Sequence, residues 1–409
     1  MSVGGSRPHV AVFGRLGSGN IGNDLLAEVV IDYLRREHPG VVIDAMCTGP
    51  ERMRAAYGIE ATQEFWQPRY QRLPPPVARL ANVPLAKFVD TVRMGAWVRR
   101  QRVVIIPGTG ALEATLPLRP WEAPYAMFLL GVYGRLFRTK LLMVSVGASP
   151  ISQPATEWLF NWSARLAHYR SFRDTHSRDA MVERGVHAEH DPIYPDLAFG
   201  LPLPPYEAGD PGAVGIGVMD YSGGNSDRGR SAEIRAAYVS SVEEFAGWLI
   251  GGGRRIRLFV GDADDLPVAE EVLAYLRERF PGLDPAAAIL EPALTFAELE
   301  QAMRKVSVVV GTRYHNVICA VRLAKPTIAL SYSAKTVAVM NDAGLADFCM
   351  SARELSGPAM IKMFQALDGQ AISLRQRIQE NAVAQTRQLD EQFAMLSAKF
   401  IPGGKSAAG

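Results

Sequence analysis

The stretch His9-Val-Ala-Val-Phe-Gly-Arg-Leu-Gly-Ser-Gly-Asn-Ile-Gly-Asn-Asp24 decides the fold. An apolar run, His9 to Phe13, passes without a spacer into a turn that holds Gly14, Gly17, Gly19 and Gly22. Leu25, Leu26, Val29, Val30 and Tyr33 then recur at 3–4 spacing, which predicts a helix through Arg36. A buried strand, a glycine turn and a helix, in that order, open a parallel sheet built from right-handed crossovers. The same order recurs downstream. Val41–Met46, Val103–Pro107, Lys140–Val146, Ala213–Val218, Arg255–Val260, Ser307–Gly311 and Thr327–Ser331 are short apolar runs, most of them followed by a Gly or Ser turn and a helical pattern.

The alternation pauses between Gly200 and Gly212, where LPLPPYEAGDPG holds four prolines and little periodicity. That linker divides the chain into two α/β halves: residues 1–205, with an insertion at 63–102, and residues 206–370. A last helical stretch, 371–400, is expected to pack back toward the first domain. Two doubly wound, Rossmann-like domains facing a cleft would gather their strand carboxyl ends around it, where ligands bind in such sheets.

The composition removes several classes of function. Lys and Arg number 44 against 42 Asp and Glu, so a net charge of +2 in 409 residues argues against a nucleic-acid partner. Cys47, Cys319 and Cys349 are far apart, lack metal-ligand spacing and suit a reducing compartment. The first residues show no apolar signal region, and the most apolar stretch, 123–132, is too short to cross a bilayer. The expectation is a cytoplasmic protein without metal or other cofactor. Residues 63–102 depart from the average, with eight Lys/Arg against Glu64 and Asp90. They read either as a solvated basic face or as a patch that meets anionic headgroups at the inner membrane surface or an anionic acceptor.

Candidate ligand residues stand at the predicted strand ends. Gly17 and Gly19 allow close backbone approach at a helix start, a setting that favours anions, and Asn20 and Asp24 offer hydrogen bonds to hydroxyls. Read blandly, this is a tight turn, since the spacing is neither G-x-G-x-x-G nor a Walker loop. Pro107-Gly-Thr-Gly110 and Gly147-Ala-Ser-Pro150 end two further strands of the same half. Arg173 can grip phosphate or carboxylate as a fork, while Asp174 and Ser177 suit a helix cap. The densest group is Val308-Val-Val-Gly-Thr-Arg-Tyr-His-Asn-Val-Ile-Cys-Ala320, which crowds Thr312, Arg313, His315 and Asn316 at a strand-to-helix junction. Arg313 offers a fork for a doubly charged anion, and an imidazole ordinarily titrates near neutrality. Tyr332, Ser333 and Lys335 follow the next strand, and the Gly/Ser-rich loop 221–230 reads as a lid carrying Arg228 or as a solvated loop.

These segments resemble the polysaccharide pyruvyl transferase family. The resemblance rests on Gly14–Asp24, Pro107–Gly110, Gly147–Pro150, Phe172-Arg-Asp-Thr-His-Ser177 and Asp191–Asp196. It rests most on Thr312-Arg-Tyr-His315, followed by Ala324-Lys-Pro-Thr327 and Tyr332-Ser-Ala-Lys335. It implies a GT-B-like architecture, and transfer of pyruvate from phosphoenolpyruvate to two hydroxyls of one sugar, as a cyclic ketal, with release of phosphate. Arg313 and His315 correspond to the family's donor-binding and catalytic motif. Arg173, Lys335 and Arg228 are further candidates for the donor. Gly17, Gly19, Asn20 and Gly110 are candidates for the acceptor, free or lipid-linked, and Asp24 or Asp174 for the general base. The first loop ends Gly-Asn-Asp where the family has Gly-Asp, and the turn at Gly147 has Ala-Ser for Gln-Gly; both departures lie on the acceptor side. Two rival readings remain. One is a nucleotide-sugar glycosyltransferase of the same architecture, with Glu291 or Glu298 on the ribose. The other is a non-catalytic sugar- or phosphate-binding protein.

Overall fold

The computed structural model describes residues 8–65, 75–114, 119–293 and 295–401, with the backbone alone described at 75–84, 225, 226 and 228. Within these residues the chain forms two compact units. One comprises residues 8–18, 23–200 and 388–401, the other residues 19–22 and 201–387.

The first unit is a parallel six-stranded sheet. Its strands are β1 (His9–Gly14), β2 (Val42–Cys47), β3 (Glu60–Gln63), β4 (Val103–Pro107), β5 (Lys140–Val146) and β6 (Tyr169–Phe172), in the order β3-β2-β1-β4-β5-β6. The crossovers carry α1 (Ile21–Glu37), α2 (Pro50–Tyr57), α3 (Pro75–Val98), α4 (Ala123–Phe137) and α5 (Pro154–Leu166), and α6 (Thr175–Glu183) follows β6. Val10, Ala11 and Val12 are wholly buried, as are Leu142, Met143 and Val144. Strands covered on both faces read as unbroken apolar runs, which is why their sequences were legible.

The second unit repeats this topology. Its strands are β7 (Asp210–Gly217), β8 (Arg255–Phe259), β9 (Ala288–Glu291), β10 (Val306–Gly311), β11 (Thr327–Ser331) and β12 (Cys349–Ser351), in the order β12-β11-β10-β7-β8-β9, all parallel. Its helices are α7 (Ser231–Gly251), α8 (Leu266–Arg279), α9 (Phe296–Arg304), α10 (Tyr314–Arg322), α11 (Ala334–Asp342) and α12 (Gly357–Asp368). In each sheet the strand order reverses beside the first strand, between β1 and β4 and between β7 and β10. Ligands bind at such switch points, at the carboxyl ends of the strands.

The boundary between the two compact units falls after Gly200, at the start of the proline-rich stretch. Arg322 donates to the carbonyls of Leu201 and Pro202 (3.2 and 3.0 Å), and Lys325 Nζ donates to that of Glu207 (2.6 Å), so the proline-rich stretch is held by the second unit. The final helix, α13 (Ala371–Phe400), was expected to pack back toward the first domain. Its residues 371–387 belong to the second unit and 388–400 to the first. Inside the first unit, Gln392 is fully buried and donates to Ser171 Oγ (2.7 Å), while Ser145 Oγ donates to its Oε1 (3.2 Å). Ser145 has φ +51 where the pairing of β5 with β6 slips, and its N–H turns to Ser171 Oγ (2.7 Å). A bulged residue loses its ladder partner, and here side chains replace it.

Candidate active site

The second unit's switch point is built around one buried carboxylate. Asp265 has no solvent exposure and closes a short 3-10 turn, Ala263–Asp265, between β8 and α8. It accepts Arg313 Nε (2.7 Å) and Nη2 (2.6 Å) as a fork, and the backbone N–H of Asp220 (2.9 Å). A single side chain therefore ties together the loops that follow β7, β8 and β10. Burial works against the charge of Arg313, but the hydrogen bond and attraction of Asp265 outweigh it and hold the guanidinium above its ordinary value. The fork uses two of five guanidinium N–H groups, so three are left to another acceptor. Glycine is required opposite: a Cβ at Gly261 would lie 2.9 Å from Arg313 Cγ.

The neighbouring residues are fixed as closely. Thr312 donates its N–H to Gly217 (2.9 Å), and its hydroxyl meets Tyr238 Oη at 2.8 Å. Tyr238 also accepts the Met219 N–H (3.2 Å), and burial pushes its phenol up to about 12, so it stays a neutral strut. Asn316 has no solvent exposure, yet neither its amide nitrogen nor its oxygen has a hydrogen-bond partner among the described residues. It lies against Gly217, where a Cβ would come within 2.4 Å of its Nδ2. An unpaired buried amide costs roughly 1–3 kcal/mol, which makes Asn316 a candidate ligand group at the switch point.

Arg313 is the N-cap residue of α10 and His315 its second residue. The His315 ring stands edge-on to Tyr314, centroids 5.1 Å apart, and Lys335 Nζ lies 5.2 Å from the same Tyr314 ring. Tyr314 is buried and thereby groups the imidazole and the ammonium of Lys335 beside the Arg313 loop. Tyr221, after β7, packs against both Tyr238 (5.8 Å) and Tyr332 (6.2 Å). The 221–230 loop, read from composition as a lid or as a solvated loop, forms a 3-10 turn at Asn225–Arg230. Asp227 pins it by accepting the Gly224 N–H (2.8 Å) and Arg353 Nη1 (2.6 Å). The side chain of Arg228 lies outside the described residues.

In the first unit, Arg173 is grouped with Glu113, its ion-pair partner, and with Asp174, 3.5 Å from its Nε. Gly110 and Gly147 make room for this pair: a Cβ at Gly110 would meet Glu113 Oε2 at 2.6 Å, and one at Gly147 would meet the Arg173 guanidinium. Asp174 caps α6 by accepting the Ser177 N–H (2.6 Å). Gly17, with φ +70, presses against Gly49 so closely that neither tolerates a Cβ, and it donates its N–H to Asp24 Oδ1 (2.6 Å). That amide, expected to be open to an anion, is committed within the loop. Asp24 Oδ2 lies 3.7 Å from Arg52 Nε. Gly19, with φ +89, and Asn20 lie in the turn before α1.

Sequence reading missed Asp265, Tyr238 and Glu113. The one signal for Asp265 was the acidic run Asp262-Ala-Asp-Asp265 at a strand's carboxyl end. The two carboxylates considered for a ribose are otherwise engaged. Glu291 pairs with Arg257 and with Lys305 (3.1 Å), and Glu298 forms a capping box with Thr295. No group of three or more His, Cys, Asp or Glu among the described residues is placed to hold a metal ion. No helix among them is long and apolar enough to cross a membrane.

The family model for polysaccharide pyruvyl transferase matches residues 20–334. No curated protein matches the chain in sequence. Among solved structures, the putative UDP-N-acetylglucosamine 2-epimerase of Listeria monocytogenes superposes with a TM-score of 0.58 at 11% identity, covering 98% of this chain and 100% of its own. The S. aureus MnaA-UDP co-structure gives 0.55 at 10% identity, covering 98% and 100%. The UDP-GlcNAc 2-epimerase of Neisseria meningitidis, bound to UDP-GlcNAc, gives 0.53 at 9%, covering 96% and 100%. At these identities the likeness is one of fold, and that fold is the GT-B-like pair of Rossmann-like units.

Proposed function

Because the chain belongs to the polysaccharide pyruvyl transferase family, we propose that it moves pyruvate from phosphoenolpyruvate onto two hydroxyls of one sugar in a cell-envelope polysaccharide, glycolipid or precursor, forming a cyclic ketal. The observation that carries this reading is the Arg313 fork, held on buried Asp265 at the second sheet's switch point, with His315 and Lys335 both against the ring of the next residue, Tyr314. Phosphoenolpyruvate brings a phosphate and a carboxylate, and Arg313 and Lys335 supply the cations for them. His315 protonates the methylene carbon while the first sugar oxygen bonds to the adjoining carbon. The second hydroxyl then displaces phosphate, whose departing charge the same cations stabilise. The attacking hydroxyl gives its proton to the general base, His315 gives one to the new methyl group, the second hydroxyl's proton leaves with phosphate, and exchange with solvent restores the base and His315.

The acceptor is assigned to the first unit. Of its two candidate bases, Asp174 is nearly buried and occupied as a helix cap, whereas Asp24 is more exposed, so the base is assigned to Asp24. Arg173, paired with Glu113, is assigned to the acceptor side and not to the donor.

The test is a phosphate-release assay with phosphoenolpyruvate against a panel of free and lipid-linked glycosides, with the product examined for a ketal carbon. Release that depends on both substrates is expected. Silence with phosphoenolpyruvate, together with nucleotide release from a nucleotide sugar, would replace this reading by the glycosyltransferase one.

A further inference from the structure

The first sheet has a second charged feature, at its amino edge. A pocket of about 580 Å³ opens there, lined by Arg102, Arg135, Arg138, Lys140 and Lys399, together with His168 and Phe400. Arg102 precedes β4, Lys140 begins β5 and His168 precedes β6, so these residues stand at the end opposite the loops after β4, β5 and β6. Strands of four to seven residues rising about 3.3 Å each set the two edges roughly 13–23 Å apart.

Among the described residues, none of the five cations pairs with a carboxylate. Arg135 is instead aimed by two carbonyls, those of Leu166 (2.9 Å) and Ala167 (3.0 Å), which fix the guanidinium without neutralising it. His168 Nδ1 accepts the Leu141 N–H (3.2 Å), which leaves the ring proton on Nε2 as a further donor. Burial, Arg135 and Lys140 push its pKa down to about 4, so it adds no charge at neutral pH. Five uncompensated cations around one concavity select an anion with several oxygens.

Apolar surface runs into this rim. Leu136, 65% exposed, projects from the last turn of α4 between Arg135 and Arg138. On α3, Leu85, Phe88 and Val92 are 46%, 67% and 55% exposed and fall on one face, which continues through exposed Ala96 to Arg99. The two helices are neighbours, with Gly95 against the Tyr133 ring and Thr91 bonded to Tyr125. A nucleic acid complements the charges but leaves the Leu85, Val92 and Leu136 surface in water; a bilayer takes both.

We propose that the amino edge of the first sheet, with the outer face of α3, docks on an anionic bilayer, the pocket seating a lipid phosphate. This site is separate from the proposed reaction, and its test needs no substrate. The full-length protein is floated with vesicles of phosphatidylcholine alone or of equal parts phosphatidylcholine and phosphatidylglycerol, across a salt series. Flotation with the anionic vesicles only, weakening with salt, is expected. The triple variant Arg102→Gln, Arg138→Gln, Lys399→Gln should partition on the order of a hundredfold less, since each charge at such a surface contributes about fivefold. Should the triple variant melt early, Phe88→Ser and Leu136→Ser provide the second arm, and each must reduce flotation at raised salt. Equal flotation with both compositions overturns the proposal, as does undiminished binding by well-folded variants. Stabilisation by inorganic phosphate, or binding of single-stranded RNA, without flotation overturns it too and reassigns the pocket to a free anion or to nucleic acid.

Discussion

At the scale of single residues, the Arg313–Asp265 pair decides how the second unit's site can be probed. Removing Arg313 leaves a fully buried, uncompensated carboxylate, and breaking such a pair costs about 3–5 kcal/mol. Loss of activity in Arg313→Ala would therefore mix misfolding with chemistry. Asp265→Asn is the cleaner change: it keeps an acceptor for the Asp220 N–H but relaxes the fork. KM for phosphoenolpyruvate should rise roughly tenfold with a smaller change in kcat, because on the proposed reading Asp265 acts only through Arg313 and touches no substrate. A fall in kcat at unchanged KM would remove Asp265 from that role. His315→Ala should behave the opposite way, lowering kcat by about 10²–10⁴ while phosphoenolpyruvate affinity, read by calorimetry, stays close to wild type. In deuterated water the residual and wild-type ketals should each carry a deuterium in the methyl group. A methyl group free of label would exclude solvent-exchanged protonation by His315. The local motif Thr312–His315 was legible in the sequence because a strand end, a turn and a helix start are contiguous. Asp265, 48 residues away, was not, since nothing local records which carboxylate a folded arginine will meet.

At the scale of elements, the strands missed from the sequence have one property in common. β3, β9 and β12 were not expected, and each is an outer strand of its sheet, three or four residues long. An outer strand is paired on one side only and needs fewer apolar residues, so Glu60-Ala-Thr-Gln63 and Cys349-Met-Ser351 carry no buried run. The inner strands β4, β5 and β11 were readable to the residue because they are covered on both faces. Periodicity likewise showed α13 but not what its polar residues do. Gln392 satisfies both Ser145 and Ser171 beneath the β5 bulge, and its replacement leaves these buried hydroxyls short of partners. Gln392→Leu should lower unfolding free energy by about 1–3 kcal/mol in denaturant titration. Combining it with Ser145→Ala should restore part of that loss, because the hydroxyl that donated to Gln392 is then gone as well, while the Ser145 N–H keeps Ser171 Oγ. Strictly additive losses in the cycle would show that the network is not a unit.

At the scale of the whole molecule, a net charge of +2 averages over very uneven surroundings. The carboxyl edges carry paired cations, the amino edge of the first sheet carries cations that pair with no carboxylate among the described residues, and Glu64 is nearly buried beyond the end of β3. Burial raises the Glu64 pKa to about 8, against the pull of Arg15 and Lys87, while Asp90 and Glu122 push it the same way as burial. Its effect on folding follows from proton counts. Between about pH 4.5 and 8 the folded chain holds a proton on Glu64 that the unfolded chain has released, so stability is greatest at the acid end and is lost as pH rises toward 8. His168 and His38 act on the other side: their lowered pKa values take stability away as pH falls below about 6.5. In the window from about 6.5 to 8 Glu64 dominates, opposed near the upper end by Lys325, whose pKa burial pushes down to about 8. There the wild-type protein should lose up to about 2 kcal/mol, at about 1.4 kcal/mol per pH unit. Glu64→Gln keeps the shape and the neutral state, so its unfolding free energy, measured in denaturant at the two pH values, should be nearly level. A variant that declined as steeply as the wild-type protein would transfer the effect to another group.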